Sequence, residues 1–173
     1  HKGIIMSRKK IDYDEVVAFL ETVSDESSIY IGCDSERFKK NGKWYGKYTT
    51  VICVHKDSSN GCRVFGETVV EPDYDHNHSK PTMRMVNEAM KAAECAKILL
   101  PMIEHRDFKL IDIHLDINKD PKHGSNAALQ QAVGYVRGVT GLEPNVKPNA
   151  MAASFAADQY DYRCNLPKSK VSL

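Results

Sequence analysis

Apolar and polar positions along the chain fall into segments of two periods. Residues 12–23, DYDEVVAFLETV, set Val16, Phe19, Leu20 and Val23 at helical spacing. Asp12 or Asp14 suits the start of that helix as a cap. SSIYIGCD follows as a strand rich in β-formers, and its apolar run stops on Asp34, with Ser35 and Glu36 next. RFKKNGKW carries an Asn-Gly turn and predicts a hairpin. WYGKYTTVICVH and GCRVFGETVV read as two further strands, with the turn signal DSSNG between them. A long helix is expected from Thr82 to about Glu104, with Met83, Val86, Met90, Ala93 and Leu100 as its apolar stripe. In KLIDIHLDIN, Ile111, Ile113, Leu115 and Ile117 alternate with Asp112, His114 and Asp116, which makes a fourth strand. Ser125 would cap a helix from Asn126 to Arg137, NVKPNA forms a short fifth strand, and AMAASFAADQYDY a last helix.

After the first helix the order is therefore β-β-β-α-β-α-β-α. A three-strand antiparallel meander followed by alternating helices and strands gives an α/β fold: a mixed five-stranded sheet, completed by parallel strands, with helices on both faces. This is the ribonuclease H topology. The length of 173 residues suits one domain with a sizeable core. That domain is expected over 6–163, with HKGII before Met6 as a tag or linker remnant and 164–173 as a tail. A net charge of +1 gives no global field that advertises nucleic acid, so such a partner needs a local patch. No signal peptide or membrane-length apolar run is visible, and no cysteine pair has CxxC spacing. Cys33, Cys53, Cys62, Cys95 and Cys164 accordingly read as free thiols of a cytoplasmic protein with no membrane partner.

A carboxylate at the end of a buried strand is costly unless a donor or a cation meets it. Asp34 and Asp116 end strands that this topology makes neighbours. Two carboxylates so close repel, and a divalent cation between them removes that penalty. Oxygen-only ligands suit Mg²⁺ or Mn²⁺. A two-metal phosphodiesterase holds its ions about 4 Å apart, one activating water and one stabilising the leaving oxygen. Glu88 on the long helix and Asp158 on the last helix are candidates for the remaining ligands. Asp158 is a poor helix former among small residues in ASFAADQY, which points to a buried face. The plain alternatives are turn-capping aspartates and, for Glu88, a surface ion pair with Arg84 at i−4.

At these residues the chain resembles the YkuK family of ribonuclease H-related nucleases. The likeness spans roughly residues 29–160 and is carried by YIGCDSE, TTVICVH, RVFGETVV, HLDINKDPKHGSN, AVGYVRG and VKPNAMAASFAADQ. It implies a ribonuclease H-like fold and a metal-dependent nuclease acting on RNA or DNA. Asp34 matches the family's first-strand aspartate, Asp116 that of the HLDIN strand, Asp158 that of the final helix, and Glu88 the helix glutamate. One departure stands out: where the family reads KPDAWAAS, this chain has Asn149 and Met151. An asparagine there coordinates without charge, which favours the rival expectation of a nucleic-acid-binding module that has lost catalysis.

Other groups carry weaker signals. Lys119, Lys122 and Lys147 fall near the same sheet edge and suit a phosphodiester backbone; His123 suits phosphate contact or proton transfer, or is simply a turn residue. His114 is either a proton shuttle that orients a carboxylate or a satisfied core histidine. DYDHNHS, with Asp73, Asp75, His76 and His78, reads as a solvated turn or as a transition-metal loop. Trp44 and Tyr45 can stack on a base or simply pack in the hairpin. No Walker-type loop, GxGxxG or nucleophile elbow is present.

Overall fold

Asp12 begins the first helix by accepting hydrogen bonds on Oδ1 from the backbone N–H groups of Asp14 (3.0 Å) and Glu15 (3.2 Å). In the computed structural model, which describes residues 6–58, 61–75, 82–115 and 126–146, this helix is α1, Tyr13–Leu20. It is preceded by a four-residue strand, β1 (Met6–Lys9), and followed by β2 (Ser28–Lys40), β3 (Lys43–His55) and β4 (Cys62–Pro72). Then come α2 (Thr82–Met102), β5 (Leu110–Leu115), α3 (Asn126–Thr140) and β6 (Asn145–Val146). The strands form one sheet in the order β1-β4-β3-β2-β5-β6. β2, β3 and β4 are the antiparallel meander, and β2–β5 and β5–β6 are parallel. This is the expected ribonuclease H-like arrangement of five strands, to which β1 adds an antiparallel edge beside β4.

One face of the sheet carries the main core. Ile29, Ile31 and Cys33 of β2, Ile52 and Val54 of β3, and Ile113 and Leu115 of β5 pack there against α1, α2 and α3. All three described helices thus lie on one face; the helix expected at AMAASFAADQYDY lies outside the described residues. The stripe that docks α2 differs from the expected one. Ala89, Ala92, Ala93, Cys95, Ala96 and Leu99 are buried, whereas Met83 and Met90 are exposed. Alanines let the helix backbone approach the sheet closely, so the docking face is the small-residue face rather than the one with the largest apolar side chains. No described helix is long and apolar enough to cross a membrane.

Two expectations are corrected here. Asp34 does not end its strand: β2 runs on through Lys40, because the polar stretch after Cys33 continues as a ribbon paired with β3 down to Lys40↔Lys43. Nor are all cysteines free thiols. Cys53 and Cys62 are diagonal neighbours across β3 and β4, with Cα atoms 6.5 Å apart, and are bonded to each other. Cys33 and Cys95 are free and buried, and Cys164 lies outside the described residues.

Candidate active site

The parallel register of β2 and β5 runs from Ser28↔Leu110 to Cys33↔Leu115. It ends one residue short of Asp34, while β2 itself continues. Asp34 thus follows directly on the described parallel pairing, at the carboxyl end of β5's described stretch, the place where sheets of this class receive ligands. Asp34 is half-buried, and its Oδ1 accepts the backbone N–H of Ser35 at 2.9 Å. Strand alternation turns Asp34 to the face of Tyr30 and Gly32, and Cys33 and Ser35 to the face of α2.

Ser35 is where α2 meets this strand. Its hydroxyl donates to Glu88 Oε2. Arg84 Nη1 donates to the Ser35 carbonyl oxygen at 3.2 Å and to its Oγ at 3.1 Å. Glu88 is only 6% exposed, so the surface ion pair expected as its alternative is corrected: helix docking buries the carboxylate, and Ser35 receives both Glu88 and Arg84. Asp34 and Glu88 thus reach the same strand segment from opposite faces. Below them, burial, with the Glu88 charge second, pushes the Cys33 thiol well up, so it is a neutral thiol and no nucleophile. Among the described residues, no three His, Cys, Asp or Glu side chains are grouped to hold a metal ion.

Glu71 of β4 fixes the turn of α2 that carries Glu88. It accepts a hydrogen bond from Asn87 Nδ2 at 2.9 Å and pairs with Lys91. Burial alone would raise the Glu71 pKa, but the Lys91 and Asn87 hydrogen bonds and the Lys91 charge outweigh it and lower it. The stability this gives is complete above the ordinary glutamate value of 4.5 and is lost as pH falls through the lower folded-state value. Glu71→Gln is therefore expected to cost at most about 1 kcal/mol at neutral pH, since water screens a partly exposed pair. In urea midpoints followed from neutral to acid pH, the gap to wild type should close below 4.5. A gap that stays constant would contradict this account.

On the opposite face, β5 brings Asp112 and His114 together, with His114 Nε2 3.2 Å from Asp112 Oδ2. Asn145 Nδ2 of β6 donates to the same oxygen at 3.4 Å, and the Ile113 N–H to Oδ1 at 3.0 Å. Burial pushes the Asp112 pKa up, but His114, Asn145 and Ile113 together bring it below the ordinary value, so it stays an anion. His114 is buried with its ring edge-on to Tyr30, centroids 5.0 Å apart. The sequence pattern put Asp112 and His114 on one face. It gave no signal for Asn145, whose place depends on the β5–β6 register, and passed over Ser35 and Arg84.

The acids of DYDHNHS do structural work. Asp75 accepts the N–H groups of Met83 (2.7 Å) and Arg84 (3.0 Å) and so caps α2. Asp73 lies 3.4 Å from Arg37 Nε and accepts the Asp75 N–H at 3.1 Å. The solvated-turn expectation is corrected for these two residues; His76 and His78 lie outside the described residues. So do Asp116, Asp158, Lys119, Lys122, His123, Lys147 and Asn149. β5 ends at Leu115, the residue before Asp116, and β6 at Val146, the residue before Lys147.

No curated protein and no solved structure matches the chain. A family model described as Ribonuclease H-like matches residues 13–161. Proteins of that description are nuclease-type or otherwise related to nucleic acid. With a match over most of its length and a sheet of the corresponding topology, the chain belongs to the ribonuclease H-like family.

Proposed function

We propose that this protein is a divalent-metal-dependent nuclease, of the YkuK type within the family, that hydrolyses phosphodiester bonds of nucleic acid. One observation carries the reading. The parallel register of β2 and β5 reaches Cys33↔Leu115, and Asp34 and Asp116 are the residues that follow these two in the sequence. Asp34 offers only oxygen donors at a half-buried position, which is the donor chemistry that Mg²⁺ or Mn²⁺ takes. Asp34, Asp116 and Asp158 would hold the ions, whose contribution is to activate water and stabilise the leaving oxygen, while Glu88, bound to the Ser35 hydroxyl on the other face of β2, would brace the strand beside them rather than ligate. Ser35 and Arg84 fix the Glu88 side of the site. Lys122, His123 and Lys147 would contact substrate phosphate. The test is cleavage in Mn²⁺ of labelled RNA–DNA hybrid, duplex DNA, single strands and a four-way junction, comparing wild type with Asp116→Asn. Cutting that disappears in the variant is expected and names the substrate. Absence of cutting, or equal cutting by both proteins, would leave the second reading, a binding module without catalysis, which Asn149 favours because it removes a charge at a position where the related family carries aspartate.

A further inference from the structure

The hairpin formed by the far halves of β2 and β3 stands out from the sheet and is not used by the site. Among the described residues β5 pairs with β2 as far as Cys33↔Leu115, and β4 with β3 as far as Tyr45↔Pro72. Beyond these points, among the described residues, β2 and β3 form ladder pairs only with each other, at Lys39↔Trp44 and Lys40↔Lys43 near the tip, with the Asp73 N–H donating to the Trp44 carbonyl oxygen at 3.0 Å. Asn41 and Gly42 close the turn with φ of 51° and 78°, the left-handed pair that a tight hairpin needs. The tip is therefore a preformed ribbon.

Its charge is out of proportion to the rest of the molecule. Residues 36–47 hold Arg37, Lys39, Lys40, Lys43 and Lys47 against Glu36 alone, a net of +4, while the whole chain carries +1. Arg37 pairs with Asp73, and Lys47 with Glu36 at 3.9 Å. Lys39, Lys40 and Lys43 are exposed, and no acidic side chain among the described residues pairs with them. Among these cations stands Trp44, an exposed aromatic, with the Arg37 guanidinium 4.3 Å and the Lys39 ammonium 5.7 Å from its ring centroid. Cations that neutralise phosphates, beside an aromatic surface that accepts a base, are the combination by which proteins grip a nucleic-acid strand. Six residues separate Asp34 from Lys40, so the tip lies about 20 Å from the candidate centre, or about six base pairs at the spacing of a duplex.

We propose that this hairpin is a nucleic-acid arm: Lys39, Lys40 and Lys43 hold backbone phosphates of the strand bound at Asp34, and Trp44 stacks on one of its bases. The proposal deepens the nuclease reading and rests on it. The test is fluorescence anisotropy with a labelled duplex of about 24 pairs and the matching hybrid, in EDTA so that nothing is cut, over about 50 to 200 mM salt. Each phosphate contact contributes about 0.9 to the slope of log K against log salt. Replacing the three lysines together by glutamine is expected to lower that slope by about 2.7 and to weaken binding at the lowest salt at least tenfold. Trp44→Ala is expected to weaken binding about 5-fold or more with the slope unchanged. These are exposed positions at a turn, so far-UV circular dichroism should match wild type. A triple variant with wild-type affinity and slope overturns the arm and leaves the nuclease reading standing. A wild-type protein that binds no nucleic acid, either in EDTA or with Mn²⁺ restored, overturns both. If polyglutamate competes as strongly as duplex, and the triple variant loses both equally, the surface recognises acidic protein, and the nucleic-acid assignment falls.

Discussion

Asp34→Asn is expected to lower phosphodiester cleavage on the order of 10²–10³-fold, the scale on which loss of one electrostatic stabiliser acts, while leaving the fold intact. The two halves of that expectation have separate causes. An asparagine keeps the shape of the side chain and an oxygen that can still accept the Ser35 N–H, which Asp34 Oδ1 now accepts at 2.9 Å. The strand pairing Asp34↔Thr49 is made by backbone and is untouched. The cost in stability should stay within about 0.5 kcal/mol, as for a half-buried position whose hydrogen bond survives. What disappears is the charge, so a loss of cleavage without a matching loss of thermal midpoint assigns that charge to function. If Asp34 merely satisfies a turn or a strand edge, the variant behaves as wild type in every assay. The decisive comparison is therefore cleavage rate against thermal midpoint in the same preparation, with divalent binding by titration as the third measurement. A variant that cuts at the wild-type rate would remove Asp34 from the mechanism.

Glu88 sets the limits of that argument. Its carboxylate is buried and touches the Ser35 hydroxyl, so a change there removes a packed hydrogen-bond acceptor as well as a charge. Asp34 separates the two effects and Glu88 does not. For that reason the test of chemistry belongs on β2, and Glu88 variants are best read through their dependence on Ser35 and Arg84.

Much of this arrangement was legible in the sequence, for reasons that also explain where it was not. The strands around Ile31, Ile52 and Phe65 announce themselves by runs of β-formers between turn signals, that around Ile113 by its alternation of apolar and polar residues, and the Asn41-Gly42 pair fixes the hairpin between the first two. The order of elements then implies that β2 and β5 are neighbours, and the register agrees. Burial patterning sees only the part of a strand that faces a core. It stopped at Asp34, although backbone pairing carries β2 to Lys40. The same bias toward large apolar residues chose Met83 and Met90 for the docking face of α2, where Ala89, Ala92, Ala93 and Ala96 do the docking. Once that face is right, Glu88 falls inside the interface rather than on the surface. Contacts that depend on register, such as Cys53 with Cys62 or Asn145 with Asp112, have no local signature at all.

The largest effect on stability is expected from Ile31→Ala, at about 3–5 kcal/mol, the upper part of the range for such truncations. Ile31 sits in the middle of a row across the sheet, paired with Ile52 on one side and Ile113 on the other, and all three are fully buried. Its β-branched neighbours have little rotamer freedom with which to fill a gap. The helix packed on this face presents Ala89, Ala92, Ala93 and Ala96, whose side chains have no further atoms to swing inward. The cavity therefore stays open, and the surrounding atoms lose contacts that nothing replaces. Thermal midpoints should fall by about 6–20 °C, at about 2–4 °C per kcal/mol for a chain of this size. The urea midpoint should drop with its slope unchanged, because the surface exposed on unfolding is the same. Ile31→Val, which removes one methylene, should cost about 0.5–1.5 kcal/mol, and Leu110→Ala at the exposed start of β5 less than about 0.5 kcal/mol. A cost for Ile31→Ala below that of a single methylene would mean that α2 settles onto the sheet to close the gap. Glu88 would then have to move with the helix and loosen from Ser35, so in that case cleavage should fall more steeply than stability. If α2 keeps its height, the order reverses: stability falls by the full amount, and the cleavage rate measured below the lowered midpoint stays near that of wild type.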